Sequence, residues 1–154
     1  MSDKNNPAPN KSQSAVEKRV TVASSEILDI MNMKGKAQPS SPFPIKCSDH
    51  SAEDDVFRVR HPWSVYRLPD TELESAMNRL RKGLPSKGWK IVKDGPDDSR
   101  AKAPQIVANS GDGQVSADLR LHMTPAGSEY ESAIEVTVVS LCFHDEAASA
   151  PTSG

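Results

Sequence analysis

The chain lacks any long apolar run: nowhere in its 154 residues do the roughly 18 consecutive apolar positions of a membrane-spanning helix occur. Its first residues, Met1-Ser2-Asp3-Lys4-Asn5-Asn6-Pro7, also lack the apolar stretch of a secretory signal. Net charge is scarce, since 19 Lys and Arg stand against 21 Asp and Glu. A formal charge of -2 recruits neither nucleic acid nor anionic lipid by field alone. Aromatic residues make up only 5% and hydrophobic residues 36%, too little for a core that uses the whole length. A foldable portion of about 120 to 130 residues between unstructured ends follows.

Chemistry-bearing motifs are equally sparse. The four histidines, His50, His61, His122 and His144, are scattered, and no pair has the i, i+4 spacing of a helical zinc site. Ser48-Asp49-His50 lists the residue types of a hydrolytic triad, but sequence neighbours do not form a relay, so it reads as a polar turn. Ser99-Arg100-Ala101-Lys102 has a Ser-x-x-Lys spacing in a loop where no helix brings amine to hydroxyl, and it reads as coincidence. No metal, cofactor or catalytic residue is expected.

There are two cysteines, Cys47 and Cys142, at opposite ends of the foldable portion. Joined, they would tie the start of the domain to its last strand, a constraint worth about 4 to 5 kcal/mol in the chain-entropy model. They would also place the protein outside a reducing cytoplasm. Left reduced, they are two unrelated thiols of a cytoplasmic adaptor.

The pattern along the chain predicts an α+β fold, a two-layer sandwich with a mainly antiparallel sheet of four to six strands and two helices on one face. Residues 1–14 read as a disordered N-terminal tether, 15–143 as a single domain and 144–154 as a disordered tail. Val16, Val20, Ala23, Ile27, Ile30 and Met31 recur at helical steps, with Ser14 and Glu17 spaced as a capping box and an end near Gly35. Three prolines between Pro39 and Pro44 make the next stretch an extended connector. Val56 to Leu68 alternates as a strand, with Pro62 marking a bulge or an edge. Leu73, Met77, Leu80 and Leu84 give a second helix, with Thr71 and Glu74 as a cap candidate and Pro85 and Gly88 as stops. Strands then follow at Trp89–Lys93 and Gln105–Asn109, with Asp94–Lys102 as a loop between them, and Asp112-Gly113 signals a hairpin into Gln114–Met123. There Val115, Ala117, Leu119, Leu121 and Met123 oppose Ser116, Asp118, Arg120 and His122. Ile134 to Cys142 forms the last strand.

Arg58, Arg60, His61, Trp63 and Tyr66 crowd cationic and aromatic groups on one strand. They are the candidate binding surface, for an acidic or sugar-like ligand, because Trp and Arg favour binding hot spots. The alternative is that Trp63 is core and the arginines form the wet face of the strand. A second basic group, Arg79, Arg81, Lys82, Lys87, Lys90 and Lys93, reads as a solvated face balanced by Asp94, Asp97 and Asp98, or as a contact for anionic envelope polymers.

Ile27-Leu28-Asp29-Ile30-Met31, then a first cysteine, then a helix running into Gly88-Trp89-Lys90-Ile91, then strands ending in Ser140-Leu141-Cys142-Phe143, resemble the mature part of small uncharacterised actinobacterial secreted proteins and lipoproteins. The resemblance covers about residues 20–143 and implies an exported domain with a Cys47–Cys142 bond, held to the envelope by a lipid anchor upstream of Ser2. It brings no activity. The reading is thus an extracytoplasmic, non-enzymatic binding domain, monomeric, located at the cell surface or secreted. Its expected partner is an unknown ligand or an envelope protein, not nucleic acid, with peripheral membrane association through the anchor. The competing reading is a small hydrolase using His61 or His122 with a nearby Asp.

Overall fold

The computed structural model describes residues 8–33, 36–38, 40–47, 55–125, 127 and 131–146. In chain order the elements are β1 (Asn10–Lys11), α1 (Gln13–Met31), β2 (Phe43–Lys46), β3 (Val56–Tyr66), α2 (Asp70–Ser86), β4 (Lys90–Pro96), β5 (Pro104–Asn109), β6 (Val115–His122), β7 (Ala133–Ser140) and β8 (Phe143–Asp145). The fold is α+β, as the alternation predicts. The sheet has eight strands in the order β1-β8-β3-β7-β6-β5-β4, with β2 on the other edge of β3, and is therefore larger than the four to six expected. Every pairing is antiparallel except β1 with β8.

Strand pairing reaches into both of the segments read as tether and tail. Asn10 and Lys11 pair with His144 and Asp145, so both termini contribute strands, while residues 1–7 and 147–154 lie outside the described part. Strands of two and three residues are too short to show a period, which is why they read as unstructured.

Helix α1 buries Val16, Val20, Ala23, Ser24, Ile27 and Met31 along one stripe. Its cap is Ser12 rather than Ser14: the Ser12 hydroxyl accepts from the Ala15 N–H, and the Ser14 hydroxyl bonds Ser12 instead. The helix ends at Asn32, left-handed at φ 56, before the predicted Gly35, which is outside the described residues. Arg79 of α2 donates to the terminal Met31 carbonyl at 2.8 Å, so a residue of the second basic group closes a helix end. Arg81 of that group pairs with Asp94 at 3.0 Å.

In α2, Leu73, Ala76, Met77, Leu80 and Leu84 face the core. Thr71 does not cap it: extended Pro69 delivers the chain straight into Asp70, and no side chain bonds the first turn. Pro85 lies inside the last turn, and Gly88 makes the stop. With φ 90 it lets Gly88 N–H reach the Pro85 carbonyl and Trp89 N–H reach the Leu84 carbonyl, while buried Trp89 and Leu84 supply the apolar contact of a Schellman ending. The two helices meet closely at Gly83, where a Cβ would lie 2.6 Å from Ile30 Cγ2. Helix α1 packs over β3, β7 and β6, and α2 over β4 and β6. Val59, Val65, Ala117, Leu119, Leu121, Ile134, Val136 and Val138 meet them from the sheet, leaving the opposite face open.

Strands β7 and β8 are one strand interrupted by a bulge. Arg60 pairs with Val139 and Phe57 with Phe143, so three steps on β3 oppose four on its partner. The interruption would orphan the Val59 N–H, and the Ser140 hydroxyl accepts it at 2.9 Å. The Ser-x-Cys ending is therefore a bulge with its own repair, and the strand continues past Cys142 rather than closing there.

Candidate functional site

Cys142 sits in that bulge and Cys47 directly follows β2, whose end is held by the Cys47 N–H to the Val56 carbonyl at 3.0 Å. The two form a disulfide with a Cα–Cα distance of 6.2 Å across a sequence separation of 95. Phe57 pairs with Lys46 on one edge and Phe143 on the other, so the bond crosses over β3. Strands two apart in a flat sheet lie about 9.6 Å from each other, so the sheet is curled at this end.

The five residues of the predicted binding surface are divided by the two-residue period of β3. Val59, His61, Trp63 and Val65 point to the helices, while Arg58, Arg60, Pro62, Ser64 and Tyr66 belong to the open face. His61 and Trp63 are each 8% exposed and serve an internal lock. Trp63 Nε1–H donates to Ser24 Oγ at 3.0 Å, Ser24 Oγ lies 2.8 Å from His61 Nδ1, and His61 Nε2 lies 3.1 Å from the Ser40 carbonyl. One assignment satisfies all three: Nε2 protonated, Ser24 donating to Nδ1. The chain pins α1, β3 and the connector together. It contains a Ser–His pair, but the third position of a relay is a backbone carbonyl.

The connector itself covers the edge of β3. Gln38 N–H donates to the Ser64 carbonyl at 2.9 Å, and Ser40 Oγ–H to the Pro62 carbonyl at 2.7 Å. Backbone N and O of a strand residue point to the same edge, so the N–H that Pro62 lacks would have faced the connector, not β7. Pro62 is therefore tolerated in a strand that pairs on both sides.

Register assembles the open face in rows. Val107, Asp118, Thr137 and Pro62 lie side by side across β5, β6, β7 and β3, as do Gln105, Arg120, Glu135 and Ser64, and Asn109, Ser116, Val139 and Arg60. Small residues form the floor and long charged ones the walls of a depression of about 490 Å³, lined among others by Arg60, Ser116, Arg120, His122, Glu135 and Thr137. A second depression of about 390 Å³ adjoins it toward Gln38 and Ser40 and shares Arg60, Glu135 and Thr137.

At one end the charges are internally satisfied. Asp97, 3% exposed, accepts from the Ser99 hydroxyl, from the Ser99 and Ala103 N–H groups at 3.0 Å, and from Arg120 Nη1 at 3.3 Å. The Ser99 hydroxyl above all holds its carboxyl below the usual range; burial opposes this, and the two N–H groups and Arg120 reinforce it. Arg120 also pairs with Asp118 at 3.0 Å, chiefly a hydrogen-bonded contact that raises the guanidinium further. Asp118 in turn accepts from Gln105. His122 Nε2 faces Glu135, not an Asp, at 3.2 Å. Ser99 of the Ser-x-x-Lys spacing is committed to Asp97, and Ser48-Asp49-His50 lies outside the described residues.

At the other end Arg60 is exposed, and among the described residues no carboxylate lies in ion-pair range of it. Among the described residues no group of three His, Cys, Asp or Glu is placed to hold a metal, and no helix is long and apolar enough to cross a membrane. Asp97, Asp118, Glu135 and Thr137 were not singled out by sequence. Asp118 had a signal in the polar side of the β6 alternation, and Asp97 only that of a charge balancing the second basic group.

No protein-family model, curated protein or solved structure matches the chain.

Proposed function

We propose that this is an exported binding domain, without catalytic activity of its own, that receives an acidic peptide segment of an envelope protein on the open face of its sheet. The observation that carries the reading is Arg60: an exposed guanidinium shared by two adjoining depressions and lacking a carboxylate among the described residues, on a face where Arg120 has two. A planar cation beside the hydroxyls of Ser40, Ser64 and Thr137 suits a carboxylate and its flanking backbone. The disulfide fits an oxidising compartment and supports export. The resemblance to exported actinobacterial domains supports the same location and an upstream lipid anchor as part of the proposal.

The test is a ¹⁵N-HSQC titration with hexaglutamate, and with hexalysine as its charge-reversed control. Shifts at Arg60, Ser64, Glu135 and Thr137 with hexaglutamate alone, abolished by Arg60→Glu, are expected. Shifts elsewhere, or equal shifts with both peptides, would discard the reading.

A further inference from the structure

The disulfide has a cation aimed at it. Arg58 is the open-face neighbour of Arg60 on β3, and its Nε donates to Cys47 Sγ at 3.4 Å while Nη2 donates to Cys142 Sγ at 3.1 Å. Among the described residues no carboxylate pairs with it. A disulfide sulfur is a weak acceptor, so the guanidinium gains little from the closed bridge. Reduction turns both sulfurs into groups that ionise, and a thiolate beside a guanidinium is strongly favoured. Arg58 therefore stabilises the open pair more than the closed one. The sulfurs also differ in access: Cys47 is 4% exposed, whereas Cys142, set in the bulge, is half-buried.

We infer that Cys47–Cys142 is an exchangeable disulfide, poised by Arg58 for reduction by a protein dithiol that attacks at Cys142. The incoming thiolate bonds to Cys142 Sγ, the Cys47–Cys142 bond breaks, and its electron pair leaves on Cys47 Sγ, where Arg58 Nε receives the charge. The second thiolate of the dithiol then attacks its partner sulfur in the mixed disulfide and releases Cys142 as a thiolate beside Arg58 Nη2. Two electrons pass from dithiol to bridge, the dithiol leaves as a disulfide, and the two protons it loses balance those taken up when the product thiolates protonate. The bond is then a modification site on the open face as well as a fastening.

The experiment equilibrates the full chain in graded mixtures of reduced and oxidised dithiothreitol and counts free thiols by alkylation and intact mass. Arg58→Met is expected to need about ten-fold more reductant for half-reduction, the effect of losing one charge-assisted hydrogen bond. Arg58→Lys is expected to fall between it and the unaltered chain, and Arg60→Met, on the same face, to match the unaltered chain. An unchanged half-reduction ratio in Arg58→Met, or an equal shift in Arg60→Met, overturns the inference. If Arg58→Met does not fold, the reduced unaltered chain decides through the pH profile of iodoacetamide labelling. One thiol ionising well below the free-cysteine value of about 8.5 upholds the inference, and two ordinary profiles overturn it.

Discussion

The two faces of the central sheet are written by the same alternation and have opposite tolerances. The covered face is closed: its apolar side chains are almost fully buried, and the polar Trp63–Ser24–His61 chain within it is satisfied end to end. The open face carries long charged residues over a floor of Val107, Ser116, Thr137 and Val139, and pairing is uneven across it, complete at Arg120 and absent at Arg60 among the described residues. What the fold must keep lies under the helices, and what it offers outward lies on the bare side of the sheet. A defect on the covered side is felt by the whole domain, while one on the open side is felt by whatever lands there.

Four substitutions press on that contrast, beginning with the most costly. Leu119→Ala, at a site with 0% exposure, should cost about 2 to 5 kcal/mol in urea denaturation, from lost transfer energy plus the cavity left behind. A value near zero would mean that the helix layer closes over the hole. Ser24→Ala should cost about 1 to 3 kcal/mol, by leaving the Trp63 indole N–H and the His61 Nδ1 without their partner. Tryptophan fluorescence should shift at the same time.

Acid tests the border between the faces. Asp97 and Asp112 are both held below the usual carboxyl range by neighbouring hydroxyls, Ser99 and Ser110, and regain it on unfolding. Their contribution is thus complete above the unfolded value of about 4 and is lost as pH falls through the lower folded values. Asp97→Asn should flatten the fall in stability measured between about pH 5 and pH 2; an unchanged slope would show that other carboxyls carry it. The smallest effect is expected from Arg60→Glu, within about 0.5 kcal/mol of the unaltered stability, because nothing among the described residues leans on that guanidinium. A loss comparable to Leu119→Ala would make Arg60 structural and end its role as a landing point.

The covered face was readable because burial on one side imposes a strict period, seen plainly in Val115, Ala117, Leu119 and Leu121. The class of fold and the sulfur bridge were readable for similar reasons of pattern and position. The site was only half readable. Treating Arg58 through Tyr66 as one surface ignored the period that separates His61 and Trp63 from Arg60. Asp97 looked like one of several loop acids balancing lysines, yet the turn folds back so that its own neighbours donate to it. That Arg120 stands beside Glu135 and Gln105 depends on strand register, which pairing decides and local sequence does not announce.

The bridge between Cys47 and Cys142 encloses β3, α2 and β4 to β7 in one covalent ring but leaves α1 outside it. A protease that severs the backbone anywhere within that ring produces two fragments that travel together until a reductant parts them. A cut in the connector before Cys47 is different in kind: α1 then depends on packing, on its polar lock to His61 and Trp63, on its contacts with Arg79, Trp89 and Asp112, and on the short β1–β8 pairing. Helix α1, not the sheet, is the piece this protein stands to lose.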